Sequence, residues 1–477
     1  MDKRQTKTPI IDMLKAFRER RPEYFCIPSH HMGTGADGAF KDIAGDVLAY
    51  DITETPLTDD LHEPEGAIKE AEELAAELFG ARRTFFLVNG TTCANEAMLT
   101  AAAHEGEKVL VARNCHKSVL MGLIISGAEP VYIEPEKCVE FGTYGSLSPE
   151  KAEKTFEENP GIKALMLTSP TYHGIASDLE KLAEICHRHG ALLLVDEAHG
   201  AHFNFSDRLP KTALLSGADM AAQSIHKTLG SMTQSSMLHV NGGDINRVDQ
   251  PLKIVQSTSP SYILMASLDS ARHSMAVNGK GLVSGMIDTA EYIRERLNRL
   301  GNVRCLNTAD GKNVFALDRA RLVFSIAGIS GFELADILLH EYNICTEMAD
   351  SRSVIAVIGH ADTRRSADRL IEAVKKISAE VPPFADIPFQ FPNIPPMAAA
   401  PRKAFFAESE RIDFKKAAGK ISAEMIAPYP PGIPVIYPGE IITEDIHSFI
   451  TEAVESRRHI HGFSDKTMKT IKIIKRL

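Results

Sequence analysis

Cysteine is sparse and scattered in this chain of 477 residues. The seven fall at positions 26, 93, 115, 138, 186, 305 and 345, with no CxxC spacing. An odd, dispersed set excludes a disulfide framework and fits a reducing compartment, where cysteine serves as a small core residue. Long apolar runs are missing too. The N-terminal MDKRQTKTPIIDMLKAF has no stretch of signal-peptide length. No segment approaches the ~18–20 apolar residues of a membrane-spanning helix. We therefore expect a soluble, cytoplasmic protein. Positive charge is outnumbered, with 53 Lys and Arg against 63 Asp and Glu for a net charge of −10. That balance lacks the basic footprint needed to wrap a phosphate backbone, so nucleic acid is excluded as a partner. Small cationic ligands suit it better.

Other familiar motifs are absent or lack their context. Asp196-Glu197-Ala198-His199 spells a helicase-type box, yet no GKS or GKT phosphate loop accompanies it. GTGADG (33–38) has the GxGxxG form but follows no strand-like run, so a dinucleotide fold has no support, and HExxH and CxxC metal patterns do not occur. What remains is an ordinary globular composition, 44% hydrophobic and 24% charged. At about 150 residues per domain, the length implies two or three domains.

From about residue 66 helical and strand-like spacings alternate. Residues 66–79 read as a helix stopped by Gly80, 84–88 as a buried strand and 93–103 as a helix. Strand-like runs recur at 108–112, 130–134, 162–168, 191–196 and 219–224, with helical stretches such as 179–189 between several of them. This pattern predicts an α/β fold with a mostly parallel central sheet. Near residue 300 the texture changes. A helix over 282–299, a strand over 321–326 and a helix over 331–342 suggest a smaller α+β C-terminal domain. Residues 382–401 hold seven prolines and read as an extended connector. A helix over 402–425 and the turn-rich APYPPGIPVIYPGE (427–440) follow. The basic C-terminal KTMKTIKIIKRL reads as a solvated edge strand or tail rather than a hook for an anion. The chain thus divides into an N-terminal arm (1–60), a major domain (61–300) and a C-terminal α+β region (301–477).

Four positions lie at or just after predicted strand ends, where open α/β sheets bind ligands. Gly90-Thr91-Thr92 could cradle an anion at a helix N-terminus, although Thr there is commonly only a cap. His116 could stack on a planar ring. Asp196 closes a very apolar strand and needs a partner, which a protonated pyridine nitrogen would supply. Ser224-Ile-His-Lys227 places a lysine where partial desolvation favours Schiff-base chemistry. Each alone has an ordinary structural reading. Together they describe the needs of pyridoxal phosphate: an amine, a carboxylate for the ring nitrogen, a stacking face and an anion cradle. The order phosphate loop, stacking residue, aspartate, lysine is that of the aspartate-aminotransferase-like (fold type I) enzymes.

The segments DDLHEPEG (59–66), VNGTTCAN (88–95), RNCHKS (113–118), SPTYHGIASDL (169–179), LLVDEAHGAHF (193–203), GADMAAQSIHKTLGSMTQSSMLHV (217–240), STSPSYILMASLD (257–269) and YPPGIPVIYPGEIIT (429–443) carry a family resemblance over nearly the whole chain. The chain resembles the ornithine/lysine/arginine decarboxylases of fold type I, most closely the short bacterial biosynthetic arginine decarboxylases. With DDLH starting at residue 59, we expect no N-terminal receiver-like domain of the kind found in the long, acid-inducible members.

The resemblance implies a pyridoxal-phosphate-binding major domain and specific roles. Lys227 forms the covalent link to the cofactor. Asp196 pairs with the pyridinium nitrogen, and Ala198 packs on the ring face opposite His116. Gly90, Thr91, Thr92, Ser224 and His226 surround the phosphate, with Ser257 of a neighbouring subunit completing the cradle of a homodimer. His199 lies near the lysine and tunes proton transfer. The implied reaction is decarboxylation of a basic amino acid, arginine to agmatine first, with lysine and ornithine as alternatives. A fold type I aminotransferase or aldolase-like enzyme, or a catalytically silent regulatory paralogue, is the competing reading. Glu54, Asp59, Asp60 and Glu440 are candidates to meet the substrate's distal cation. Relatives read PGHK where this chain has Pro28-Ser29-His30-His31, and DITETPLT (51–58) also departs from the family pattern. Both departures fall on the substrate side.

Overall fold

The alternation read from residue 66 onward becomes a seven-stranded sheet in the computed structural model, which describes residues 3–244, 246–308, 313–382, 391–429, 433–455 and 459–476. Its strands are β1 (Arg83–Leu87), β2 (Lys108–Ala112), β3 (Glu129–Ile133), β4 (Ala164–Thr168), β5 (Leu192–Asp196), β6 (Met220–Gln223) and β7 (Ser236–Val240). Across the sheet they run β1-β7-β6-β5-β4-β2-β3. Neighbours from β6 to β3 are parallel, while β7 runs antiparallel to β6 and β1. Leu193, Leu194 and Val195 are fully buried, because helices cover both faces. That explains the continuous apolar runs in place of alternation. Parallel strands bring their carboxyl ends to one edge. The end of β2 leads into Arg113–His116, that of β5 into Glu197–His199, and that of β6 into Ser224–Lys227.

The helices that frame this sheet and its neighbours include α1 (Pro9–Glu19), α2 (Ala67–Phe79), α3 (Gly90–Ala102), α4 (Lys117–Ser126), α5 (Tyr262–Leu297) and α6 (Arg364–Glu380). Gly80 ends α2 with φ +74°, the left-handed stop expected of it. Helix α3 begins at Gly90, three residues before the predicted 93. Thr91 and Thr92 therefore fall in its first turn, where backbone N–H groups have no intrahelical acceptor. Helix α5 also starts earlier than predicted, at Tyr262 rather than 282, with the Ser261 hydroxyl as its cap. It serves two cores in turn: Tyr262 to Ile287 pack with α1, and Ala290, Ile293 and Leu297 pack with the next sheet. No single apolar stripe marks it, which hides its first half in the sequence.

Beyond residue 300, β8 (Val303–Cys305), β9 (Arg321–Ile326), β10 (Met348–Ala349) and β11 (Val354–Val357) form an antiparallel sheet in the order β8-β9-β11-β10. A separate core follows, built from Phe414, Ile426, Ile436, Ile442, Ile446, Ile450, Ile471 and Ile473. The helix predicted over 402–425 is not found. Pro401–Phe406 is helical, but Glu408–Asp413 is a strand paired antiparallel with Thr470–Arg476. Pairing with a partner far along the chain overrides local helical propensity here. The basic C-terminal stretch is that partner, and its other side bonds residues 421–423, so it is an inner strand with buried isoleucines rather than a solvated edge strand or tail. Of the predicted connector 382–401, residues 383–390 lie outside the described residues, as do 430–432 of the turn-rich stretch. The cysteines are all free thiols, five buried, with Cys26 and Cys345 exposed. No described helix is long and apolar enough to cross a membrane.

Candidate active site

Lys227 sits on a single helical turn, Ile225–Thr228, immediately after β6. Its Nζ lies 3.0 Å from Nε2 of His199 and 5.7 Å from the ring centre of Tyr172. Burial lowers the lysine pKa; Asp196 and Glu347 oppose that shift and Arg321 reinforces it. His199, in the turn after β5, is 4% exposed and its Nδ1 lies 2.9 Å from Nη2 of Arg321. Burial, helped by Lys227 and Arg321, holds this imidazole well below the usual range, so it is neutral. The Tyr172 ring packs on it at 4.5 Å between centres.

Asp196 closes β5 and is 3% exposed. One carboxylate oxygen accepts from Asn95 Nδ2 at 2.8 Å and the other from the Ala198 N–H at 3.1 Å. Among the described residues it forms no ion pair. A buried carboxylate that is oriented but not neutralised is prepared for a cation. Asn95 also donates to the Ser118 hydroxyl at 2.9 Å, and the Ser118 N–H donates to Nδ1 of His116 at 3.2 Å. One amide on α3 thus ties Asp196 to the cap of α4. The His116 ring itself stays exposed.

A hydroxyl cluster lies beside these groups. Thr91 Oγ1 bonds Ser224 Oγ and stands 3.2 Å from Ser236 Oγ, joining the first turn of α3 to the end of β6 and the start of β7. Gly90 turns the chain into α3 with φ +73°. Thr92 is exposed, and His226 donates from Nδ1 to the Ser235 carbonyl at 2.8 Å. These residues fit pyridoxal phosphate. The hydroxyls and free N–H groups match its phosphate, the unneutralised Asp196 its ring nitrogen, the partly desolvated amine of Lys227 its aldehyde, and the open His116 face its ring.

Ser257 is exposed, and its hydrogen bonds among the described residues run elsewhere. Its carbonyl accepts from His62 Nε2 at 2.8 Å and its hydroxyl from the Ser259 N–H at 3.1 Å. The four acidic candidates separate clearly. Asp59, expected on the substrate side, has its carboxylate committed to the N–H groups of Glu65, Gly66 and Ile68 at 2.8–2.9 Å. It is the cap of α2, and this corrects its sequence-based role. Glu440 is 1% exposed and pairs with Arg113 Nη2 at 2.8 Å, so its charge meets a protein cation rather than an open site. Asp60 is exposed and caps a local turn through the His62 N–H at 2.7 Å. Glu54 alone of the four combines partial exposure with a buried oxygen, Oε1, that has no partner, while its Oε2 accepts from Thr53 Oγ1 at 2.7 Å. The two segments that carry the departures touch each other through His30, which matches the family pattern, and Asp51, at 3.0 Å between Nε2 and Oδ2.

Sequence reasoning missed Arg321, Asn95 and Tyr172. The signal for Arg321 was a charged residue opening an otherwise apolar strand. Asn95 stood one helical turn after Thr91, and Tyr172 within the SPTYHGIASDL match.

The fold and this site together define an aspartate-aminotransferase-like, fold type I enzyme. The constitutive lysine decarboxylase of E. coli superimposes with a TM-score of 0.85 at 21% identity, covering 98% of this chain and 82% of that one. An alanine–glyoxylate aminotransferase from Nostoc sp. gives a TM-score of 0.53 at 20% identity, over 65% of this chain and 86% of that one. Sequence comparison narrows the class. The family described as Orn/Lys/Arg decarboxylase matches through its major domain at residues 8–318 and its C-terminal domain at 388–471. Proteins named arginine decarboxylase in Halalkalibacterium halodurans and Bacillus subtilis are 39% and 38% identical, each over 99% of this chain and 98% of their own length. The inducible lysine decarboxylase of Escherichia coli is 26% identical over 92% of this chain and 76% of its own. The chain belongs to the Orn/Lys/Arg decarboxylase family. It is an amino-acid decarboxylase, and the family implies pyridoxal phosphate as its cofactor.

Proposed function

We propose that this enzyme converts arginine to agmatine and CO₂, in the cytoplasm, as a homodimer that supplies polyamine synthesis. The observation that carries the choice of arginine is the full-length similarity, at 38–39% identity, to proteins of that name. The site supports the chemistry.

Lys227 supplies the amine that holds the cofactor aldehyde, and Asp196, oriented by Asn95 and Ala198, keeps the ring nitrogen protonated. His116 and Ala198 flank the ring. Gly90, Thr91, Thr92, Ser224 and His226 hold the phosphate, and the exposed Ser257 of a second copy completes that cradle. Bound there, the protonated pyridine ring supplies an electron sink for the pair released at the substrate's α-carbon. The bond to the carboxylate carbon breaks, CO₂ leaves, and the α-carbon takes up one proton. The buried His199 and the partly buried Lys227, 3.0 Å apart, supply that proton. Glu54, with its unpartnered buried oxygen, is the first acidic residue to test against the guanidinium; Asp60 is the second.

The purified protein should show the visible absorbance of a lysine-bound cofactor, and Lys227→Ala should abolish it. With arginine the enzyme should release equal amounts of CO₂ and agmatine and no keto acid. A normal band with keto acid as product would instead make it an aminotransferase. A missing band in the intact protein would favour a silent paralogue.

A further inference from the structure

Arg321 opens β9 in the four-stranded sheet, yet its guanidinium reaches the turn that follows β5 in the other sheet. Its contact with His199 constrains where protons can sit. A guanidinium has donors only and stays charged in proteins. With Nη2 at 2.9 Å from His199 Nδ1, that ring nitrogen must be the acceptor and carry no hydrogen. A protonated imidazolium would place two donors face to face. The neutral ring therefore carries its hydrogen on Nε2, which lies 3.0 Å from Lys227 Nζ. An ammonium at Nζ would again set donor against donor, so the lysine must accept. We infer that Arg321 is a positioning residue for the reaction: by donating to Nδ1 of His199 it fixes the ring proton on Nε2, and His199 in turn holds Lys227 as the uncharged amine.

The surroundings keep Arg321 in that role. It is 2% exposed, and its Nε and Nη1 have no hydrogen-bond partner among the described residues. Asp318 Oδ2 lies 3.9 Å from its Nε, and the same carboxylate accepts from His202 Nε2 at 3.0 Å. Arg294 donates to the Arg321 carbonyl at 2.7 Å. Gly174 fixes the side-chain stem. It has φ +86°, and a Cβ added there would meet Cβ of Arg321 at 2.9 Å. Only glycine allows that approach. The charged and titratable groups acting on Lys227 are Asp196 from β5, His199 from the next turn, Arg321 from β9 and Glu347, which accepts from the Tyr172 hydroxyl. His226 on the lysine's own turn and His116 at the cap of α4 also feel its charge. Asp196 and Glu347 favour the ammonium, and burial and Arg321 oppose it. An uncharged amine at this position is a nucleophile for the cofactor aldehyde and an acceptor for a proton.

This inference rests on Lys227 being the cofactor lysine, and one experiment separates the two claims. The full-length chain, stripped of cofactor, is acetylated in trace amounts across pH, and the Lys227 peptide is quantified by mass spectrometry. Protection of Lys227 by added pyridoxal phosphate tests the cofactor reading. The midpoint of its reactivity tests the inference. Arg321→Met should raise that midpoint by about one pH unit, while Arg321→Lys, still a charged donor, should leave it near the original value. Gly174→Ala, which displaces the arginine stem without removing it, should give an intermediate rise. The Arg321→Met change should fall to less than about half in a His199→Phe background, because the arginine acts through the imidazole. An unmoved midpoint in Arg321→Met and Gly174→Ala, or an equal shift with His199 absent, would overturn the inference even if the cofactor protects Lys227.

Discussion

On the proposed cofactor side, Asp196 and Ser224 stand at the ends of strands buried in the largest core and their polar atoms meet partners from neighbouring elements, while His116 caps α4 through Ser118. On the side we propose for the substrate, His30, Asp51 and Glu54 stand on partly exposed N-terminal segments held by a few hydrogen bonds among themselves and their neighbours. The first side is set by the sheet, so each short motif carries its own placement. The second is set by how a remote segment packs, and its residues have meaning only in the assembled chain. Cofactor chemistry is therefore stiff and legible, and substrate choice is adjustable and obscure.

The sharpest way to break that contrast is at its stiff end. Lys227→Ala should eliminate both the visible cofactor band and CO₂ release, measured on the same sample. Next, Asp196→Asn should retain the fold but lower kcat by at least about 10²-fold, since an amide cannot hold the ring nitrogen protonated; a steady-state assay with saturating cofactor reads this. A third test reaches the link between the C-terminal unit and the His116 loop. Arg113 is clasped between Tyr132 and Tyr437, at 5.0 and 4.0 Å from their ring centres, and pairs with the buried Glu440. Glu440→Ala strands the arginine charge and should cost about 3–5 kcal/mol of stability by denaturant unfolding.

A smaller effect is expected from pH. Glu197 is fully buried and accepts from the Ala213 N–H and from Gln223 Nε2, both at 2.7 Å, which joins the turn after β5 to β6. Burial pushes its pKa up to about 8. The folded state therefore binds more protons than the unfolded chain above the ordinary carboxylate range. Its stability contribution is full below that range and is lost as pH rises toward about 8. Thermal unfolding followed across pH should show this decline, and Glu197→Gln should flatten it. The smallest effect belongs to the soft side. His30→Ala should leave the cofactor band unchanged and shift kcat/KM for arginine only severalfold, of the order expected when one partly exposed hydrogen bond is lost.

What the sequence revealed follows the same division. The sheet strands were legible because burial on both faces makes them apolar throughout, and Asp196 and Lys227 because a charged residue ending such a strand needs a reason. The first half of α5 was obscured because its buried face is interrupted by the charged Asp269 and Arg272, both fully buried. The strand Glu408–Asp413 was hidden because its partner lies at the other end of the C-terminal unit. Asp59 shows the limit of reading charge as function: its carboxylate serves backbone N–H groups a few residues away. Arg321 shows the opposite limit. No local pattern could indicate that an arginine opening β9 would meet His199, 122 positions earlier.

The central claim, arginine decarboxylation at Lys227, is tested most directly by giving the cofactor-loaded enzyme an equimolar mixture of arginine, lysine and ornithine. The account predicts agmatine as the dominant product, matched by CO₂ and absent in Lys227→Ala. Cadaverine or putrescine in excess, or consumption of arginine without CO₂, would contradict it.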